Sequence, residues 1–436
     1  MDLLKWADFG LQALKEAGAD MARCSVSYSE TREFNYLSDR FTLYRTKEEN
    51  GISMASIEGG RYAQLGGNEL SEKALRDLAE ECVKNGKDVP ADECRRFSET
   101  QESLKVVEGP QDCDEEKLFM RAREFCDTVH QKYPTIVFND LSFSHNLQKK
   151  TTVFSSGSRF ERSSGCYMIV LIYTAKKGEK SSSFYYRAFQ LKDLDKPLLE
   201  CDDMEVDLAM LADQWNADSL GESFEGPVLM SPACVYEMMQ YVIDNFCTDV
   251  PIMQKTSPWI DALGKSVASD ELSIELSPRA PEFLGGSLCT SDGHKAENEC
   301  LMDRGVLRAF HLSDYAARKT DLRPAANSDG ISYLKLVPGT QNLEELIRQI
   351  DKGILMLRFS GGMPAANGDF SGVVKNGFLI ENGKISRPVN EVMFSGNLAQ
   401  MVRHIGGKSA ECWGATIYRA PWISFEQLKI SSSDKS

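Results

Sequence analysis

The chain has 436 residues, 42% of them hydrophobic and 26% charged. That is the balance of an ordinary globular protein, and it excludes wholesale disorder, collagen-like repeats and a membrane bundle. Its 65 acidic residues against 50 basic ones give a formal net charge of −15. No cluster of Lys and Arg along the chain offsets this, so binding to DNA or RNA is not expected.

At about 150 residues per domain the length predicts two to three domains. The twelve cysteines are scattered without a C-x-x-C pair, which points to reduced, mostly buried thiols in a reducing compartment. The start, Met1-Asp2-Leu3-Leu4-Lys5-Trp6, lacks the basic and apolar regions of a signal peptide. The longest apolar run, Cys166–Tyr173, is far short of the ~20 residues of a membrane helix. The expectation is a cytoplasmic protein without a membrane partner.

In chain order, Leu3, Leu4, Ala7, Leu11, Leu14 and Ala17 recur at helical spacing and Gly18 stops the run. Alternation at Ala22, Cys24, Val26 and Tyr28 predicts a strand. A second strand at Ile52–Ser56 leads into a Gly59-Gly60 hairpin and Tyr62. A helix from Ser71 to about Val83 closes an α+β unit over 1–90. Residues 91–113, with Pro110 and many charges, are predicted to be a connector.

The pattern then restarts over 114–222. A helix opens at the acidic Asp114-Glu115-Glu116, strands follow at Thr135–Phe138, Thr151–Phe154, Tyr167–Tyr173 and Phe184–Phe189, and a helical stretch lies near Met204–Trp215. This order predicts a duplicated helix-and-strand unit. The acidic Cys201-Asp202-Asp203 run is most simply a solvated helix start. From 223 to 436 the texture is β-rich and antiparallel, with helices at Pro232–Phe246 and, capped by Asn342, at Leu343–Ile350. Asn376-Gly377 and Asn382-Gly383 divide Gly372–Val392 as hairpin turns. The fold class is therefore α+β, an α+β amino-terminal region followed by a β-rich domain.

Most chemical motifs fail on spacing. Gly406-Gly407-Lys408-Ser409 lacks the earlier glycine of a phosphate loop, since position 402 is Val402, and reads as a solvated turn. There is no G-x-S-x-G elbow. None of His130, His145, His294, His311 and His404 is followed by Glu, and no two lie four apart. The one local group of metal-ligand types, Cys289, Asp292, His294 and Cys300, matches no structural zinc spacing, and Asp292-Gly293 there reads as a turn.

Several carboxy-terminal segments lie at consistent spacing over about 220–425. They are Asn367-Gly368-Asp369-Phe370-Ser371, Gly377-Phe378-Leu379-Ile380-Glu381-Asn382-Gly383-Lys384-Ile385 with Pro388-Val389, Ser395-Gly396-Asn397-Leu398, and Asp303-Arg304-Gly305-Val306-Leu307 with Ala317-Arg318-Lys319. Together they resemble the TldD/PmbA family, once named as modulators of DNA gyrase and associated with metallopeptidase activity. TldD-like members carry H-E-x-x-x-H on a helix with a downstream cysteine as metal ligands. PmbA-like members, also called TldE, lack it and pair with a TldD-like chain. The corresponding helix here, Ser231–Val242, holds no histidine, so the chain resembles the PmbA/TldE branch.

The resemblance implies a non-catalytic, metal-free subunit with no cofactor of its own. It would work with a zinc-bearing TldD-like partner on unfolded peptides, taken as extended strands at a sheet edge. Within it, Asn367, Asp369 and Ser371 are expected to line the shared chamber, and no catalytic or metal residue is expected. Were the chain to carry a metal after all, Cys289, Asp292, His294 and Cys412 would be the residues to examine. The alternative is a non-enzymatic homodimer that binds a peptide or another ligand.

Overall fold

In the computed structural model, which describes residues 2–329, 332–414 and 417–432, the first helix is α1 (Leu3–Glu16). The Asp2 carboxylate accepts the Lys5 N–H at 3.1 Å and so caps it, while Leu3, Ala7, Leu11 and Leu14 turn inward. Strands β1 (Met21–Leu37), β2 (Arg40–Glu58) and β3 (Arg61–Gly67) form a meander, and α2 (Glu72–Gly86) follows with Ser71 accepting the Ala74 N–H. The tight β2–β3 turn needs positive φ at both central positions. Gly59 and Gly60 supply it, at 54° and 76°.

β1 runs well beyond the predicted Ala22–Tyr28. Its distal half is half-exposed, with no apolar alternation to mark it, and pairing with strands on both sides carries it on to Leu37.

The predicted connector 91–113 contains a strand, β4 (Ser103–Glu108), which the sequence reading missed. Its parallel partner begins 56 residues away, at Ser103↔Arg159, so only the tertiary structure reveals the pairing. After Asp114 caps α3 (Glu115–Lys132), the chain forms β5 (Ile136–Phe154), β6 (Arg159–Lys177), the short β7 (Lys180–Ser181), β8 (Tyr185–Leu191) and α4 (Met204–Ala212). The stretches predicted as separate strands at Thr135–Phe138 and Thr151–Phe154 are the two ends of the single strand β5.

The strands order as β3-β2-β1-β5-β6-β4, with β7 and β8 also paired to β6. The helix–meander–helix order thus occurs twice, and the antiparallel β1–β5 ladder joins both copies into one sheet.

The carboxy-terminal half begins with β9 (Phe224–Met230), α5 (Pro232–Phe246) and α6 (Asp249–Met253). Next come short elements: β10 (Ile274–Leu276), β11 (Glu299–Asp303), β12 (Val306–Leu307), α7 (Asp314–Thr320), β13 (Leu334–Leu336) and α8 (Leu343–Arg348). Then β14 (Lys352–Gly361), β15 (Asp369–Glu381), β16 (Lys384–Val389), β17 (Val392–Asn397), α9 (Leu398–Met401), β18 (Ile405–Trp413) and β19 (Tyr418–Ser432) complete the chain. Strands β19, β17, β15, β14 and β9 pair in sequence, and β9 pairs back onto β19, which closes a five-stranded ring.

Side chains alternate along this ring. Val228, Met230, Ile354, Met356, Ile423 and Phe425 pack with α5 in one core. Leu229, Leu355, Leu357 and Trp422 turn the other way, into a core shared with α3, β5 and β6.

Two sequence expectations are corrected here. Asn382-Gly383 does turn β15 into β16, at φ of 50° and 72°, but Asn376-Gly377 lies inside β15. Asn376 is fully buried and donates to the Phe184 carbonyl, and a Cβ at position 377 would meet the Leu355 carbonyl oxygen at 2.7 Å. The glycine therefore serves a close strand approach, not a turn. Gly406–Ser409 is not a solvated turn either. It lies in β18, and buried Lys408 donates to the backbone carbonyls of Glu271 and Val337. No helix among the described residues is long and apolar enough to cross a membrane.

Candidate functional site

The sequence of α5 dictates a two-sided helix. Ser231 caps it, Pro232 suits its first turn, and Val235, Met238, Met239, Val242, Ile243 and Phe246 are buried in the barrel-side core. The remaining face carries Glu237, Gln240, Tyr241 and Asp244, spaced so that all four share one side. Glu237 and Asp244 reach solvent, yet surrounding protein raises both carboxyls. The Arg358 guanidinium draws Glu237 back down and His311 does the same for Asp244. These side chains make the solvent-facing side of α5 a polar face crowded by neighbouring protein. Arg358 is held over the Phe184 ring at 4.0 Å, and the Gln240 amide donates to the Tyr236 hydroxyl at 2.7 Å.

Next to Glu237, buried Tyr236 stacks on Tyr418, with centroids 4.4 Å apart and planes 11° from parallel. Tyr418 lies within the electrostatic reach of Arg187, Asp202 and Asp207. Arg187 on β8 meets Asp202 at 2.7 Å, contacts Asp203, and stands 3.5 Å from Asp207. Asp203 and Asp207 are each 2% exposed, so the Cys201–Asp203 run is an internal charge cluster and not the solvated helix start predicted from sequence. The Tyr185 hydroxyl donates to Asp207, and burial pushes the Asp207 carboxyl up to about 6 against the pull of Arg187.

The Asn367–Ser371 loop sits at the carboxy-terminal end of the same helix. Gly368 has φ of 90°, and a Cβ there would meet the Phe246 ring at 2.7 Å. Asn367 and Asn397 each donate a side-chain amide to the Asp369 carboxylate, at 2.8 and 2.9 Å, and these bonds hold its pKa low. Asp369 also lines a cleft of about 520 Å³ with Ser395, Asn397, Gln400, His404, Glu426 and Lys429. Ser371 pairs with Ser395 in the β15–β17 ladder and does not line that cleft.

The remaining sequence candidates do not converge. Asp292-Gly293 forms the turn of a small hairpin, bridged at Cys289 and Lys295. His294 faces Asp314 at 3.4 Å and the Ser98 hydroxyl at 3.3 Å. Cys300 is exposed on β11. Cys412 on β18 lies among Arg419, Lys335, Asp202 and Glu282, and burial raises its thiol to about 11. Among the described residues no three His, Cys, Asp or Glu side chains are arranged to hold a metal ion.

Residues 223–432 match the family model of the PmbA/TldA metallopeptidase C-terminal domain. The carboxy-terminal half belongs to the TldD/PmbA family. A metalloprotease PmbA homolog of Buchnera aphidicola subsp. Acyrthosiphon pisum is 30% identical over 214 residues, 49% of this chain and 47% of that one. The metalloprotease PmbA of Escherichia coli O157:H7 is 30% identical over 155 residues, 35% and 34% of the two chains. The matched stretches thus span about a third to a half of those relatives' own length.

The fold extends further than the sequence identity. The crystal structure of TldE from Thermococcus kodakarensis superposes with a TM-score of 0.82 at 17% identity, covering 98% of this chain and 99% of that one. A Bacteroides thetaiotaomicron protein, described as a candidate modulator of DNA gyrase, superposes at 0.83 with 22% identity and 98% coverage of both.

The family's metallopeptidase description makes zinc the group to test against these residues. A catalytic zinc requires three protein ligands and an open position for water. The accessible face of α5 offers only Glu237 and Asp244 as donors, seven residues apart, with Gln240 and Tyr241 between them. That donor set does not fit a zinc centre of the TldD type. The polar face was only partly legible beforehand: Glu237 and Asp244 share it by helical spacing, while Arg358 comes near only through the fold.

Proposed function

We propose that this chain is a TldE-like subunit of a TldD/TldE-type peptidase complex. It shapes a chamber for unfolded peptide, and a TldD-like partner supplies the zinc and the hydrolysis. The observation that carries this reading is the accessible face of α5. The helix keeps the buried stripe that a barrel-packed helix needs, but it presents Glu237, Gln240, Tyr241 and Asp244 where a peptidase of this kind would need imidazoles. A carboxylate can take a proton from a metal-bound water only where a metal is held, and here Glu237 is left opposite Arg358 instead.

In this role the chain's own chemistry is recognition. The polar face of α5, with its amide, phenol and raised carboxyls, offers donors and acceptors to the backbone of an extended peptide. Native mass spectrometry of the chain purified gently from its source cells tests the reading. A heteromeric mass with zinc retained on a second, different chain is expected. A homo-oligomer carrying stoichiometric metal would overturn it, and a metal-free homo-oligomer would favour a homodimeric ligand-binding protein.

A further inference from the structure

A second cleft, of about 440 Å³, lies far from α5 in the chain, between the amino-terminal sheet and the segment Ser287–Ser291. Its floor is a sheet face built by register. Ser53, Ser25 and Thr152 form one row across β2, β1 and β5, and Ser27 and Lys150 stand in the next across β1 and β5; Arg162, opposite Lys150 on β6, lines a smaller adjoining pocket that shares Lys150, Thr152, Ser287 and Cys289. Arg23 completes the wall, and Ser328 joins the opposite side.

Lys150 and Arg162 are directly opposed on neighbouring antiparallel strands, a placement of like charges that destabilises a sheet. Among the described residues none of Arg23, Lys150 and Arg162 forms an ion pair, and no Asp or Glu lines the cleft.

Neutral acceptors aim the two guanidiniums. Arg23 donates to the Ser291 carbonyl at 2.8 Å and to Gln64 at 2.9 Å, while Arg162 donates to the Gly285 and Gly286 carbonyls and to Gln148. The Nε of each arginine is buried without a hydrogen-bond partner. The nearby carboxylates bond backbone and not the cations: Asp329 accepts the Ser287 N–H and Glu108 accepts the Gly285 N–H, while the charge of Asp329 still favours the Lys150 ammonium. Burial, with Arg162 and Arg23 nearby, lowers the Lys150 ammonium. In a chain of net charge −15, three cations without an ion-pair partner beside a hydroxyl-lined floor form a built hollow rich in donors.

We propose that this cleft binds a small oxyanion ligand, a molecule carrying a phosphoryl or carboxylate group held between Lys150, Arg162 and Arg23 over the Ser25–Ser27–Thr152 floor. Guanidinium forks and hydroxyls match the oxygens of such a group, and the volume suits a small metabolite. Because the cations come from the amino-terminal sheet and Ser287–Ser291 from the carboxy-terminal half, a bound anion ties the two halves together.

The test titrates the full chain with inorganic phosphate, and separately with succinate, by calorimetry and thermal shift at matched ionic strength, with chloride as control. Saturable one-to-one binding of either anion is expected, and which one binds identifies the phosphoryl or the carboxylate source. Lys150→Gln and Arg162→Gln should each weaken it at least tenfold, whereas Lys384→Gln, an exposed lysine on β16, should not. Lys150→Gln should also raise the melting temperature in anion-free buffer, because it removes the opposed charge. Binding of neither anion above the chloride control, or binding indifferent to both cleft substitutions, would overturn the proposal. So would a Lys150→Gln variant that melts lower than the parent and binds unchanged, since that marks a purely structural lysine.

Discussion

Arg187 faces Asp202, Asp203 and Asp207 in a space with almost no water. Removing the cation leaves buried carboxylates uncompensated, so Arg187→Leu is expected to destabilise the protein by roughly 3–5 kcal/mol in chemical denaturation. Asp207→Asn keeps a partner for the Tyr185 hydroxyl and removes one excess negative charge, so its cost at neutral pH should be far smaller.

The two states of Asp207 set the sign of a pH effect. Its folded pKa, about 6, lies above the unfolded value near 3.9, so the folded chain binds more protons between those limits. The contribution of Asp207 therefore favours folding below about pH 4 and is lost as pH rises through 6. Melting curves from pH 4 to 7 should show that slope in the parent and a flatter one in Asp207→Asn; parallel curves would refute it.

At Gly165 the constraint is steric instead. A Cβ there would stand 1.6 Å from the Pro110 carbonyl oxygen, so Gly165→Ala must push β6 and the chain after β4 apart. A loss of about 1–3 kcal/mol is expected, as for overpacking of a well-packed site.

Among elements, α5 joins stability and recognition on opposite faces. The Ser231 hydroxyl accepts the Cys234 N–H and donates to the Leu357 carbonyl at 2.9 Å, tying the helix start to β14. Ser231→Ala removes a cap and leaves a buried carbonyl short of a donor, a loss of about 2 kcal/mol. Met239→Ala, on the buried face, should cost roughly 2–5 kcal/mol. Glu237→Gln, on the accessible face, should leave the melting temperature within a degree or two, so any change it makes in partner or peptide binding reports on recognition; calorimetry of the three variants side by side separates the faces. The helix itself was legible in the sequence over Pro232–Phe246. β4 was not, because six residues of weak alternation acquire a strand's identity only from β6.

At the scale of the molecule, the two halves share one core. Tyr36, Leu118, Phe125, Phe143 and Tyr173 pack in the same cluster as Leu229, Leu355, Leu357, Phe378 and Trp422. Unfolding either half exposes that surface, so a single calorimetric transition is expected for the full chain, and two resolved transitions would contradict the shared core. Trp422→Ala, at its centre, should lower stability by about 3–5 kcal/mol without splitting the transition.

The sequence by itself determined what short-range rules control. The caps at Ser71, Asp114 and Asn342, the Gly59-Gly60 and Asn382-Gly383 turns, the α5 stripe without histidine and the α+β order all depend on residues within a few positions of one another. Its motifs also carried the family. Only the tertiary structure decided which distant charges meet. Arg23, Lys150 and Arg162 are separated along an acidic chain, yet strand register sets Arg23 and Lys150 on one cleft and Arg162 in the pocket beside it, where a linear scan finds no basic cluster. Asp202 and Asp203 read as solvated until β8 brings Arg187 against them. Coulomb energy and desolvation depend on distance and burial in space, and sequence spacing encodes neither across a sheet.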